Sequence, residues 1–149
     1  MNSYFAPWAL LPEGWRRDVR IAVSGEGTIE AVTPGSAQEG ATLLKGPVLA
    51  GMPNAHSHVA QRALAGRAER AGPDGEGFWG WRETMYAFVD ALDPDSFEAI
   101  AAATYAEMLE AGYTSVAEFH YLHHGPDGVA YERASEMSER LLAAAERAG

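Results

Sequence analysis

Val48-Leu49-Ala50-Gly51-Met52-Pro53-Asn54-Ala55-His56-Ser57-His58 is the stretch on which the reading of this chain turns. A short apolar run ends in two histidines, His56 and His58, two residues apart. In an extended strand, residues two apart project from the same face. Two imidazoles so placed can reach one metal ion, each at about 2.0–2.1 Å. The end of an apolar strand is also where α/β proteins build their sites. A bare His-x-His is common, and a pair of solvated loop histidines is the plain alternative. The surrounding sequence has to decide between them.

On the N-terminal side of this stretch the chain reads as short strands and turns. Tyr4–Leu10, Val19–Val23 and Thr28–Val32 are β-prone runs, punctuated by Pro12-Glu13-Gly14, Gly25-Glu26-Gly27 and Pro34-Gly35. Two further short apolar runs flank Gly46-Pro47 between Gly40 and Leu49. The pattern predicts a small antiparallel sheet, too little for a closed sandwich, whose partner strands lie elsewhere.

Beyond the histidines the chain turns helical. Residues 66–77, with several glycines, charges and a proline, read as a mobile loop. From Phe78 a helix follows, with Trp81, Met85, Phe88, Val89 and Leu92 as its apolar stripe and Trp79, Arg82, Glu83 and Tyr86 on another side. Asp93-Pro94 starts the next helix, Asp as N-cap and Pro in the first turn, with Phe97, Ile100, Ala101, Thr104 and Met108 as the buried row. Gly112 stands where that helix should stop. Tyr113–Phe119 reads as a strand, and a loop with His123 and His124 follows, neither expected to bind metal. A last helix is expected over Tyr131–Ala148, with Ala134, Met137, Leu141 and Ala145 inward.

Strand, helix, helix, strand, helix is the opening of a parallel α/β architecture. A complete eightfold barrel needs roughly 200 residues or more, and this chain has 149. Two regions are expected. Residues 1–49 would be part of a small β-sandwich, and residues 50–149 the first β/α units of an incomplete barrel.

Composition excludes several classes. Eleven basic against 21 acidic residues leave a net charge of −10, which disfavours a phosphate-backbone binder, so no nucleic-acid partner is expected. No apolar run approaches the ~20 residues that span a bilayer, and no basic-then-apolar leader opens the sequence. The absence of cysteine rules out disulfides, thiolate metal sites and a cysteine nucleophile, and fits a cytoplasmic location.

Four stretches together carry a family resemblance. They are Met52-Pro53-Asn54-Ala55-His56-Ser57-His58 with Gln61-Arg62-Ala63, Phe78-Trp79-Gly80-Trp81-Arg82-Glu83-Thr84-Met85-Tyr86, Glu107 through Tyr121 (ending Ala117-Glu118-Phe119-His120-Tyr121), and Leu122-His123-His124. The first resembles the opening barrel strand of the amidohydrolase superfamily. The Trp-Gly-Trp-Arg-Glu and Ala-Glu-Phe-His-Tyr stretches resemble the N-formimino-L-glutamate deiminases of histidine degradation. The resemblance runs from Tyr4 to the final helix. It implies the N-terminal part of a metal-dependent hydrolase with a (β/α)8 barrel and a small flanking β-sandwich. It further implies one zinc ion held by His56, His58 and a later His and Asp, with the catalytic acid and base also from later strands. The full-length protein would be a cytoplasmic homodimer that hydrolyses formiminoglutamate to formylglutamate and ammonia. This chain, about its first third, would be inactive alone.

A substrate with two carboxylates must bind an acidic protein against its field, which calls for arginine placed for bidentate contact. Arg82, between Trp79 and Tyr86, suits that role because aromatic neighbours hold a guanidinium flat. The alternative is a surface arginine paired with Glu83 or Asp90. In the family, Gln61 and Tyr121 occupy positions that look like substrate contacts. By strand alternation, however, Glu118 and His120 share one face and Phe119 and Tyr121 the other, so both sets can meet the site only if the strand end breaks parity. Two rival functions share part of this pattern. One is a deaminase or chlorohydrolase of the same superfamily acting on a nucleobase or triazine, which keeps the histidines but has no need of Arg82. The other is a small acidic binding module without catalysis.

Overall fold

The computed structural model describes residues 2–67 and 78–149. They divide into two compact units, Met1–Gly51 and Met52–Gly149.

The first unit is a four-stranded sheet of β1 (Asn2–Leu11), β2 (Gly14–Val23), β3 (Ile29–Thr33) and β4 (Thr42–Leu43), in the order β3-β2-β1-β4. β1 and β2 form a hairpin closed by Pro12-Glu13, with register running from Asn2↔Val23 to Leu11↔Gly14. Gly14 has φ +101°, which a residue with a Cβ rarely adopts, so glycine closes this turn. The ladder lapses at Pro7, which has no N–H to give, and Asp18 across from it takes φ +54°. β2 begins five residues before the expected Val19, because Trp15-Arg16-Arg17-Asp18 hides a strand under polar side chains. The sheet is also not wholly antiparallel: β4 lies parallel to β1, pairing Tyr4 with Thr42 and Phe5 with Leu43. β3 and β4 occupy opposite edges, so the segment joining them must cross the sheet. The Arg20 guanidinium holds that segment by donating to the carbonyls of Ala37 and Glu39. Ala6, Ala9 and Val19 are the buried centre of this unit.

The second unit is built on two parallel strands, β5 (Met52–Ser57) and β6 (Tyr113–Glu118). Between them come a 3-10 helix, Val59–Leu64, then α1 (Phe78–Asp90) and α2 (Pro94–Glu110); α3 (Glu136–Ala148) follows β6. The loop expected over 66–77 lies, from residue 68 onward, outside the described residues. α1 buries Met85 and packs Phe88 and Val89 on the core. Asp93 caps α2 as expected: its carboxylate accepts the Ser96 N–H at 2.7 Å, and the Ser96 hydroxyl accepts the Asp93 N–H in return. The Ser96 hydroxyl, which also donates to Asp93 Oδ1 at 2.6 Å, and then the Ser96 N–H hold the Asp93 carboxyl below the usual range. Gly112, φ +91°, ends the helix in the left-handed conformation.

α3 begins at Glu136, not Tyr131, and its buried row is Met137, Leu141 and Ala144, not Ala134 and Ala145. Residues before Ser135 are drawn elsewhere. Ala130 bridges to His124, and Tyr131 packs against the core from outside the helix. Charge sets the seat of α3 on α2. Arg140 meets Asp95 at 2.7 Å, Glu98 at 3.0 Å and Glu136 at 2.9 Å, and Arg147 meets Glu98 at 3.0 Å. Arg140 and Arg147 hold the Glu98 carboxyl below its ordinary range, as Arg133 and Arg140 do for Glu136. Such exposed pairs fix orientation more than they add stability. The stability comes from the core of Val59, Leu92, Phe97, Tyr105, Leu122 and Leu141.

Candidate active site

β5 ends at Ser57, and the chain turns into the 3-10 helix one residue later, so the His pair straddles the strand end. His56 is set by Asn54, whose Oδ1 accepts the His56 N–H at 3.2 Å. His58, just beyond the strand, has φ −134° and ψ 76°. The two rings fall on one side, centroids 4.6 Å apart, with their Nε2 atoms 2.8 Å from each other.

The partners assign the tautomers. His58 Nδ1 lies 2.8 Å from the Phe119 carbonyl, which can only accept, so Nδ1 carries the proton. That leaves the His58 Nε2 lone pair aimed at His56, whose Nε2–H donates to it. A carbonyl on Nδ1 is the arrangement that orients a metal-binding histidine. Two nitrogens on one tetrahedral ion at about 2.05 Å stand about 3.3 Å apart. Holding such an ion would need the rings about half an ångström further apart and the His56 proton on Nδ1. The donor set fits a divalent ion of borderline softness, to which these two residues would supply two ligands. Among the described residues no group of three His, Cys, Asp or Glu is gathered to hold a metal.

Around the pair stand Gln61 and Tyr121. The Gln61 amide Nε2 donates to the Tyr121 hydroxyl at 3.2 Å, and the Tyr121 ring lies 6.2 Å from that of His58. The hydroxyl proton points at Met85 Sδ, 3.8 Å away, a soft acceptor that a better one can displace. β6 stops at Glu118, and the alternation expected of 118–121 continues past its end. The Phe119 N–H still donates to Ser57 O at 2.9 Å, but its carbonyl turns to the His58 ring. Phe119 and Tyr121 then both approach His58, with Phe119 at 5.6 Å, while His120 faces the helices and meets Ser138 Oγ at 2.7 Å. Burial, and secondly the charge of His123, push the His120 imidazole below its ordinary range. The His123 ring lies tilted at 46° beside that of His120, centroids 4.9 Å apart, and His124 bridges to Ala130.

Arg82 is not brought into contact with the His pair. Its guanidinium lies over Trp79 at 5.5 Å and Tyr86 at 5.2 Å, and it donates to the Tyr86 hydroxyl at 3.2 Å. Neither Glu83 nor Asp90 pairs with it, and among the described residues no carboxylate stands within salt-bridge distance. It sits one helical turn before Met85, the residue that meets Tyr121. Sequence reasoning passed over Phe119, whose carbonyl orients His58. Main-chain contacts of this kind leave no mark on residue identity.

A family model described as formimidoylglutamate deiminase HutF, N-terminal domain, matches residues 1–44. The formimidoylglutamate deiminase of Pseudomonas aeruginosa is 52% identical over 149 residues, covering 100% of this chain and 33% of that protein. The crystal structure of an amidohydrolase from Brucella melitensis matches with a TM-score of 0.89 and 46% identity, over 98% of this chain and 32% of that one. A mutant of atrazine chlorohydrolase TrzN from Arthrobacter aurescens TC1, complexed with zinc and atraton, matches at 0.66 and 19% identity over 98% of this chain and 33% of that one, a likeness of fold alone. The chain spans about a third of the length of each of these proteins. Along its whole length, the chain is related to the formimidoylglutamate deiminases of the amidohydrolase superfamily.

Proposed function

We propose that these residues open a zinc-dependent deiminase that hydrolyses N-formimino-L-glutamate to N-formyl-L-glutamate and ammonia. The observation that carries this reading is the convergence of the His56 and His58 Nε2 atoms, with the Phe119 carbonyl fixing the tautomer of His58. His56 and His58 would hold the zinc, which when bound brings the pKa of a coordinated water to about 7 and so supplies hydroxide at neutral pH. On this reading residues 1–49 belong to a small β-sandwich and residues 50–149 to the first β/α units of a barrel. The remaining ligands and the acid and base that move protons to and from the leaving nitrogen come from outside this chain.

The residues of this chain then bind and orient. Tyr121 already accepts from Gln61, so its hydroxyl proton is free to turn from Met85 Sδ to an anionic oxygen beside the His pair. Arg82 offers a fork of donors with no carboxylate of its own among the described residues, held flat by Trp79 and Tyr86. A dianionic substrate supplies the missing partner. The test is a substrate panel on the full-length protein: ammonia release from formiminoglutamate, guanine and cytosine at matched concentration. The reading predicts turnover of formiminoglutamate at least a hundredfold above the ring substrates. Preference for a nucleobase would assign the site to the ring deaminases instead.

A further inference from the structure

We propose that Glu118 is a positioning residue for the His56–His58 pair, an inference that rests on the metal reading above. A helix start leaves backbone N–H groups without partners, and an N-cap side chain ordinarily satisfies one. The N-cap of the 3-10 helix is His58, and it makes no side-chain cap, because its ring is committed to Phe119 O and to His56. The cap comes instead from the neighbouring strand: Glu118 Oε1 accepts the Val59 N–H at 2.9 Å. Glu118, the last residue of β6, and Phe119 after it thereby hold Ser57, His58 and Val59, the end of β5 and its exit. Phe119 N–H donates to Ser57 O, Phe119 O accepts from His58 Nδ1, and Glu118 accepts from Val59.

A carboxylate is a costly choice for this task. Its second oxygen, Oε2, is buried with no hydrogen-bond partner among the described residues, and its charge helps push the Tyr105 hydroxyl, already raised by burial, up to about 12. An apolar side chain of the same volume would spare Oε2 its burial but leave the Val59 N–H unpaired. What the side chain provides is an acceptor that fixes the backbone on the far side of His58, so that the ring swings neither toward nor away from His56. Glu118 acts through His58 and touches no substrate.

The experiment uses the full-length protein with Glu118→Met, which fills the volume without an acceptor, and Glu118→Gln, whose amide oxygen still accepts. Zinc affinity is read by competition with a chromophoric chelator, beside the melting temperature of each metal-free form. Loss of an orienting contact typically costs 10–100-fold in metal affinity, so Glu118→Met is expected to lose that much, while its metal-free form melts only slightly lower than wild type for the unpaired Val59 N–H. Glu118→Gln is expected to stay within about threefold of wild type. Wild-type affinity in folded Glu118→Met, or a tenfold or greater loss in Glu118→Gln, overturns the inference. Should Glu118→Met not fold, Glu118→Gln alone decides. A wild type that binds no zinc overturns the metal reading, and this inference with it.

Discussion

Replacing Arg82 by alanine should weaken substrate binding while leaving the zinc in place. The guanidinium is held between two rings, 5.5 Å from Trp79 and 5.2 Å from Tyr86, and its one hydrogen bond among the described residues goes to the Tyr86 hydroxyl. None of these contacts neutralises its charge, in a chain whose net charge is −10. A hydrogen bond to a charged group is worth about 1.5–3 kcal/mol, which is roughly a ten- to hundredfold change in kcat/KM. The loss should fall mainly on KM, because Arg82 makes no contact with the His pair. Arg82→Lys keeps the charge but loses the planar fork, so it should recover only part of the deficit. Steady-state ammonia release by the full-length protein, with zinc measured on the same samples, provides the assay. Unchanged kcat/KM in Arg82→Ala would return Arg82 to the class of surface arginines. Loss of zinc would show that α1 supports the metal site instead.

Phe97 is fully buried at the centre of the second unit, so Phe97→Ala should cost about 3–5 kcal/mol in urea unfolding of the full-length protein, and a cost below about 1 kcal/mol would mean that Phe97 is not at the centre of a close-packed core. His120 has its folded pKa lowered by burial, so the folded state takes up its proton later than the unfolded one, and its contribution, present above about pH 6.5, is lost as pH falls through the folded value. Stability between pH 6.5 and 5 should therefore fall less steeply in His120→Asn than in wild type. The 149-residue chain alone, supplied with zinc, should release no ammonia from formiminoglutamate, and zinc-dependent release abolished by His56→Ala would show the site to be complete within these residues.

Local signals were legible before any coordinates. Asp93-Pro94 announced α2 because capping chemistry is written in adjacent residues, and the spacing of His56 and His58 placed their rings together because a strand alternates with a period of two. What escaped was decided at long range. The parallel pairing of β4 depends on a crossing segment that Arg20 holds, and nothing in Thr42-Leu43 records its direction. The start of α3 escaped because Ala134 suits a helix, whereas Ala130 and Tyr131 are engaged by the loop and core. The Phe119 carbonyl meets the His58 ring across 61 residues of sequence, a main-chain contact that the alternation of 118–121 does not announce.

The central claim is that His56 and His58 form half of a zinc site in a deiminase. The most direct test measures bound zinc in the purified full-length protein and in its His56→Ala and His58→Ala variants, alongside formiminoglutamate-dependent ammonia release. The account predicts zinc and activity together in the wild type and the loss of both in each variant. Wild-type zinc content in both variants, or undiminished ammonia release from a zinc-free protein, would contradict it.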